Sequence, residues 1–145
     1  MKPFYVAVIL AALVTSASAE PPLVTVAPIS AREILRDFEV VMRAPYFVVG
    51  SSAYDEEATR LQAAFRRLQQ SPAAATQCRK LVAGATPAGQ IYGLLGLKRL
   101  NDPAFALLAR RYKASRDYMA LYTETLPPQI KIAVIAGWID DGSLK

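Results

Sequence analysis

The residues whose type and spacing best suit chemistry are cations in adjacent pairs: Arg66-Arg67, Arg79-Lys80, Lys98-Arg99 and Arg110-Arg111. They belong to a segment, residues 60–116, that holds eleven basic side chains and one acidic one, Asp102. The flanks reverse the sign. Residues 20–59 carry seven acidic and three basic groups, and residues 117–145 carry four and two. A formal net charge of +5 therefore conceals a basic middle between acidic ends. Guanidinium and ammonium groups recognise carboxylates, phosphates and anionic surfaces, so the chemistry on offer is anion binding. Each pair also falls in or near the last turn of a predicted helix, where a cation meets the negative end of the helix dipole for about 0.3–1 kcal/mol. That accounts for where the pairs lie, but not for the confinement of the acids to the chain ends. Either the acidic flanks fold over the basic middle, or the middle faces an anionic partner. If successive helices alternate in direction, the pairs at 66/67 and 98/99 lie on one edge and those at 79/80 and 110/111 on the other.

Other chemistry is bounded by what the chain lacks. It has no histidine, which removes Ser-His-Asp and Cys-His nucleophile systems and the usual general base near neutral pH. With one cysteine, Cys78, no standard zinc site forms. Neither Asp55-Glu56-Glu57 nor Asp140-Asp141-Gly142 has the alternation of a calcium loop, so no metal and no cofactor is expected. Cys78 reads as a small buried apolar residue, with an intermolecular bridge or a reactive thiol as alternatives. Glycan hydrolysis needs only two carboxylates, and Glu33, Asp37, Glu39, Glu56, Glu57 and Glu124 qualify by type. No spacing selects two of them, and most sit at helix starts, where they complement the dipole. Gly84, Gly89, Gly93 and Gly96 match neither G-x-x-x-x-G-K-[ST] nor G-x-G-x-x-G. The last three fall at steps of four and three on one helix and make a smooth face for close packing. Tyr112, Tyr118, Tyr122 and Trp138 cluster in the C-terminal third, where they line either a sugar- or peptide-binding groove or the edge of the core. No nucleic-acid recognition motif is present, and nucleic acid is not an expected partner.

The elements that must position these residues read as short helices. Ser30 to Glu33 forms a capping box ahead of an apolar stripe, Ile34, Leu35, Phe38, Val41 and Met42, that ends before Pro45. Tyr46 to Gly50 is β-prone, a buried loop or a brief strand. Ser52 to Asp55 opens a second helix with Ala58, Leu61, Phe65 and Leu68 on its apolar face. Ser71-Pro72 and Thr86-Pro87 open a third and a fourth, each with a hydroxyl cap and proline at the first helical position. Asn101-Asp102-Pro103 ends the fourth, which contains Ile91, Leu94, Leu95 and Leu97, and starts a fifth with Phe105, Leu108 and Tyr112 inside. Asp117 to Thr123 reads as helix or strand, and Leu126-Pro127-Pro128 breaks the chain. The apolar run Ile130 to Ile139 predicts a buried terminal helix, with a buried strand as the alternative.

A different pattern occupies the N-terminus. Lys2 precedes Phe4 to Val14, which is free of charge, and Ala17-Ser18-Ala19 is the small-x-small exit that signal peptidase reads. Residues 1–19 therefore read as a cleavable signal peptide cut between Ala19 and Glu20. The apolar stretch is about half the roughly 20 residues of a spanning helix. No transmembrane segment is expected in the mature chain, because Ile130 to Ile139 is short and interrupted by Lys131. The remaining 126 residues make one domain: an extended, proline-rich lead-in at 20–29 and a helical unit at 30–145.

The segment Ala88-Gly89-Gln90-Ile91-Tyr92-Gly93-Leu94-Leu95-Gly96-Leu97 resembles a group of exported bacterial helical proteins marked by Ala-Gly-x-x-Tyr-x-Leu-x-Gly-Leu. Members of the group place cysteines in this helix and near position 119. Here those places hold Leu95 and Met119, so the disulfide the resemblance implies is absent. The resemblance brings no activity with it.

These readings combine into an all-α domain of five or six short antiparallel helices stacked as hairpins, exported to the periplasm or secreted. The expected function is a non-catalytic binding or adaptor module of the bacterial envelope, meeting a protein partner or an anionic surface through its basic pairs. The alternative is a small cell-wall glycan hydrolase or hydrolase inhibitor.

Overall fold

The computed structural model describes residues 29–50, 55–123 and 129–144. The expected signal peptide, the expected lead-in through residue 28, the candidate Glu124 and the expected break at Leu126-Pro127-Pro128 lie outside the described residues.

Helix α1, Ala31–Met42, starts on the predicted capping box: the Ser30 hydroxyl accepts the Glu33 N–H, and the Glu33 carboxylate accepts the Ser30 N–H at 2.9 Å. Strand β1 is the two-residue Phe47–Val48, both buried. Helix α2, Glu56–Gln70, is capped by Asp55, whose carboxylate accepts the Ala58 N–H at 2.7 Å, and it buries the predicted face. Helix α3, Ala74–Gly84, starts later than Ser71-Pro72 indicates. Ser71 instead ends α2, its carbonyl accepts the Ala74 N–H, and its hydroxyl bonds the Gln77 side chain at 3.2 Å.

Helix α4, Pro87–Arg99, is the centre of the molecule, with Ile91 through Leu97 buried without interruption. A helix covered on all sides needs apolar residues all round, which this one has. Thr86 caps it, accepting the Gly89 N–H at 3.2 Å, and donates its own hydroxyl to the Ala44 carbonyl at 2.7 Å, which ties the end of α1 to the start of α4. The small residues of α4 let its neighbours close in. A Cβ added at Gly93 would lie 2.7 Å from the Cys78 carbonyl of α3, and one at Gly89 would lie 2.6 Å from the Val41 carbonyl of α1. Gly96 lies against the Cys78 sulfur. Asn101, at φ 52°, closes α4 with paired bonds from Asp102 N–H to the Leu97 carbonyl and from Asn101 N–H to the Lys98 carbonyl.

Helix α5, Phe105–Lys113, buries Phe105, Ala109 and Tyr112. The chain after it corrects the all-α expectation. Strand β2, Tyr118–Tyr122, pairs in parallel with β1 through Phe47 to Leu121 and Val48 to Tyr122. It pairs antiparallel with β3, Gln129–Lys131, through Met119 to Ile130. The small mixed sheet therefore runs β1-β2-β3. Buried residues alternate with more exposed ones along β2, turning Met119 and Leu121 inward, and this period of two suits a strand with one buried face. The C-terminal apolar run is divided: its first residues complete the sheet, and Ile132–Asp140 forms α6, burying Ile132, Ile135, Ala136 and Ile139 against α4 and α5. Among the described residues the domain is mostly helical, with six helices and this sheet. Among the described residues no helix is long and apolar enough to cross a membrane.

Candidate functional site

The acids settle which cations are left for a partner. Asp37 on α1 is buried, and Arg67 of α2 grips both its oxygens, Nε to Oδ2 at 2.7 Å and Nη2 to Oδ1 at 2.6 Å. This is the bidentate geometry that makes an arginine–carboxylate pair strong. Asp102, buried between α4 and α5, accepts the Ala104 N–H and pairs with Arg79 at 2.5 Å. Burial opposes ionisation of Asp102, but these donors outweigh it and hold its carboxyl below the usual range. Asp140 at the end of α6 takes Lys113 on its carboxylate at 2.6 Å and Lys98 on its carbonyl at 3.1 Å. Lys98 also sits 4.8 Å from the centre of the Phe105 ring.

Arg66, Lys80, Arg110 and Arg111 are exposed and form no ion pair among the described residues. The predicted edges are visible in part. Arg66 and Arg99 line one cavity, and Arg79 and Arg111 line another of about 410 Å³ between α3, α4 and α5. Lys98, Arg99, Arg110 and Arg111 occupy the last turns of their helices as expected. Arg79 and Lys80 do not, because α3 continues to Gly84 and leaves them mid-helix.

Sequence reasoning missed Leu107. It is 74 % exposed on α5, one turn before Arg110 and Arg111, and it lines the same cavity as Arg79 and Arg111. The signal was present: Phe105, Leu108 and Tyr112 define the buried stripe at offsets 0, 3 and 7, and Leu107 falls outside it.

The aromatic candidates do not form one groove. Tyr112 is buried, with its hydroxyl 2.9 Å from the Gln90 side-chain oxygen and 3.3 Å from the Val82 carbonyl. Tyr118 is exposed, with Lys131 near its ring. Tyr122 packs against Tyr46 at 5.3 Å, and Trp138 lies on the outer side of α6. Among the described carboxylates, Glu39 and Glu57 line one cavity of about 300 Å³. A glycosidase's acid takes an apolar setting, whereas Arg36, Arg43 and Arg60 share this cavity. Of the candidate carboxylates, Glu33 has its carboxyl held below the usual range by the Ser30 hydroxyl and N–H, opposite to a catalytic acid. Among the described residues no cluster of ligating side chains suits a metal ion. Cys78 is free and buried against Gly96, and burial together with Asp102 pushes its thiol up to about 11.

Compared with known proteins, the chain matches no family model, no curated protein and no solved structure.

Proposed function

We propose that the protein is an exported, non-catalytic binding module of the bacterial envelope that docks on an anionic lipid surface through the α5 edge. The observation that carries this reading is the exposed Leu107 one turn before Arg110 and Arg111, two cations without a carboxylate partner among the described residues. An apolar tip beside cations is the arrangement by which a helix rests on an anionic interface. Each cation at such a surface contributes about 1 kcal/mol, and burying Leu107 adds about 1–2 kcal/mol. For Arg110, Arg111 and Leu107 together the total is about 3–4 kcal/mol, which corresponds to roughly millimolar affinity. The Lys2-to-Ala19 pattern supports export, which an intact mass beginning at Glu20 tests.

The decisive experiment is co-sedimentation of the purified protein with anionic and with neutral vesicles across a salt series. Binding to anionic vesicles is expected to fall with salt and to be lost when Leu107→Ser is combined with Arg110→Gln and Arg111→Gln. The set Arg66→Gln, Arg67→Gln, Lys98→Gln and Arg99→Gln is expected to lower binding less, because three of those side chains are engaged inside the fold. Equal binding to both vesicle types, or none at low salt, returns the α5 cations to helix capping alone.

A further inference from the structure

A cavity of about 380 Å³ opens between β1, α2 and the end of α4. Its floor is aromatic. Tyr92 lies between Phe47 and Phe65, with ring centroids 4.6 and 4.9 Å away. The Tyr92 hydroxyl accepts the Val48 N–H at 3.0 Å, which fixes the ring, and burial keeps the phenol neutral with a proton to donate. Arg66 and Arg99 both line this cavity. Arg99 lies over the Phe65 ring at 5.8 Å and gives one N–H to the Gln69 side-chain oxygen at 2.9 Å. Neither arginine has an ion-pair partner among the described residues. Burial and the neighbouring Arg66 both weigh against the charge on Arg99. Both side chains are exposed, so the mouth of the cavity carries two like charges whose repulsion an anion between them relieves.

We infer that this cavity binds an organic carboxylate with an apolar body, its carboxylate between Arg66 and Arg99 and its body on the Phe65–Tyr92 floor. The guanidinium fork matches the two oxygens of a carboxylate. Inorganic phosphate would satisfy the arginines but make no contact with the apolar lining. A neutral aromatic would meet the apolar lining but leave both cations without a counter-charge among the described residues. The volume falls at the lower end of small-molecule sites, about 300–1,000 Å³. A free aryl or alkyl acid offers this chemistry, and so does the C-terminal carboxylate of a peptide ending in phenylalanine. The inference stands apart from vesicle docking, because Leu107, Arg110 and Arg111 do not line this cavity.

The test is isothermal titration of the purified protein with 3-phenylpropionate, its amide and inorganic phosphate. Two tripeptides ending in phenylalanine, one with a free carboxylate and one amidated, complete the set. The expected result is 3-phenylpropionate binding with Kd below about 1 mM, with the amide and phosphate each at least about tenfold weaker. The stronger of the two carboxylate arms identifies a free acid or a chain terminus as the source. Arg66→Gln, at an exposed position, is expected to weaken 3-phenylpropionate about tenfold with unchanged circular dichroism, while Arg110→Gln leaves it unaltered. Equal affinity for acid and amide overturns the inference. So does unchanged binding in Arg66→Gln, or no heat from any probe.

Discussion

Gly93 and Gly84 differ in one respect that a single methyl group can read. Both accept helical angles, since neither is among the described glycines with positive φ. Replacing a helical glycine by alanine gains up to about 1 kcal/mol by restricting the unfolded chain and improving helix propensity. At Gly84 a Cβ meets nothing within 4 Å, so Gly84→Ala is expected to stabilise by about 0.4–1 kcal/mol. At Gly93 the same atom would lie 2.7 Å from the Cys78 carbonyl and 3.0 Å from Leu81 Cβ and Val82 Cγ2. The nearest of these is backbone, which cannot rotate aside, so α3 and α4 must separate. Overpacking of this kind costs about 1–3 kcal/mol, and after the propensity gain Gly93→Ala is expected to destabilise by about 1–2 kcal/mol. Gly96→Ala should fall between Gly93→Ala and the unsubstituted protein, because its obstacle is the Cys78 thiol, a side chain that can turn. The assay is thermal and urea unfolding of all three variants. A difference of about 1.5–3 kcal/mol between Gly93→Ala and Gly84→Ala corresponds to roughly 5–15 °C in Tm for a domain of this size. The urea slope should stay constant, so that midpoints report stability alone. If Gly93→Ala melts at or above the unsubstituted protein, α3 and α4 are not in backbone contact and the central packing described above is wrong.

Three other outcomes follow from particular contacts. With its thiol raised to about 11 by burial and by Asp102, Cys78 should react with a thiol reagent at pH 8 only after denaturation; rapid native labelling contradicts its burial. Asp102 and Asp140 have carboxyls below their unfolded values, so their contribution is present above about pH 4 and is lost as pH falls through the folded values. The urea midpoint should therefore drop below about pH 4, less steeply in Asp102→Asn; a midpoint that rises on acidification contradicts these pairings. Arg67→Met leaves Asp37 buried and unpaired, and with Arg67 itself 44 % exposed the expected loss is about 2–3 kcal/mol, below the full cost of a buried pair. Adding Asp37→Leu should recover part of that loss in urea unfolding, and a further loss in the double variant argues against the pairing.

Legibility in the sequence tracks how local the determinant is. Ser30 with Glu33, and Thr86 with Pro87, announced their helices because a cap is satisfied within four residues. Ser71-Pro72 has the same chemistry and did not start a helix where expected. The Thr86 hydroxyl is braced on the Ala44 carbonyl, whereas the Ser71 hydroxyl turns to Gln77 and its backbone finishes α2. The sheet was the least legible element. A two-residue strand such as Phe47–Val48 has no periodicity to read, and its partner, Leu121-Tyr122, lies on the far side of four helices in the chain. The close-packing face of Gly89, Gly93 and Gly96 was legible, since small residues three and four apart must share a helix face. The cavity of Arg66 and Arg99 was not. The two arginines are brought together by the packing of α2 against the end of α4, and only the alternation of helix direction hinted at a shared edge.

The segregation of charge along the chain now has a physical account for part of its pattern. Asp37 from the N-terminal flank and Asp140 from the C-terminal flank fold back on Arg67, Lys98 and Lys113, and the middle's own acid, Asp102, takes Arg79. Each pair or contact joins segments at least 23 residues apart, so the acids at the ends act as clamps on the basic middle. An engaged cation no longer attracts a distant anion at full strength, because its field is offset by a carboxylate or carbonyl a few ångströms away. The charge count of the sequence therefore overstates what a partner would feel. Part of what remains uncompensated lies in two places of different character: an exposed helix edge with a leucine at its tip, and a cavity with an aromatic floor. The first suits a broad anionic surface, where charge is felt over about a Debye length and the binding is salt-sensitive. The second suits a small anion held at contact, where desolvation and ring contact matter more than salt. A salt series on vesicles and a carboxylate titration therefore probe separate parts of the same charge excess.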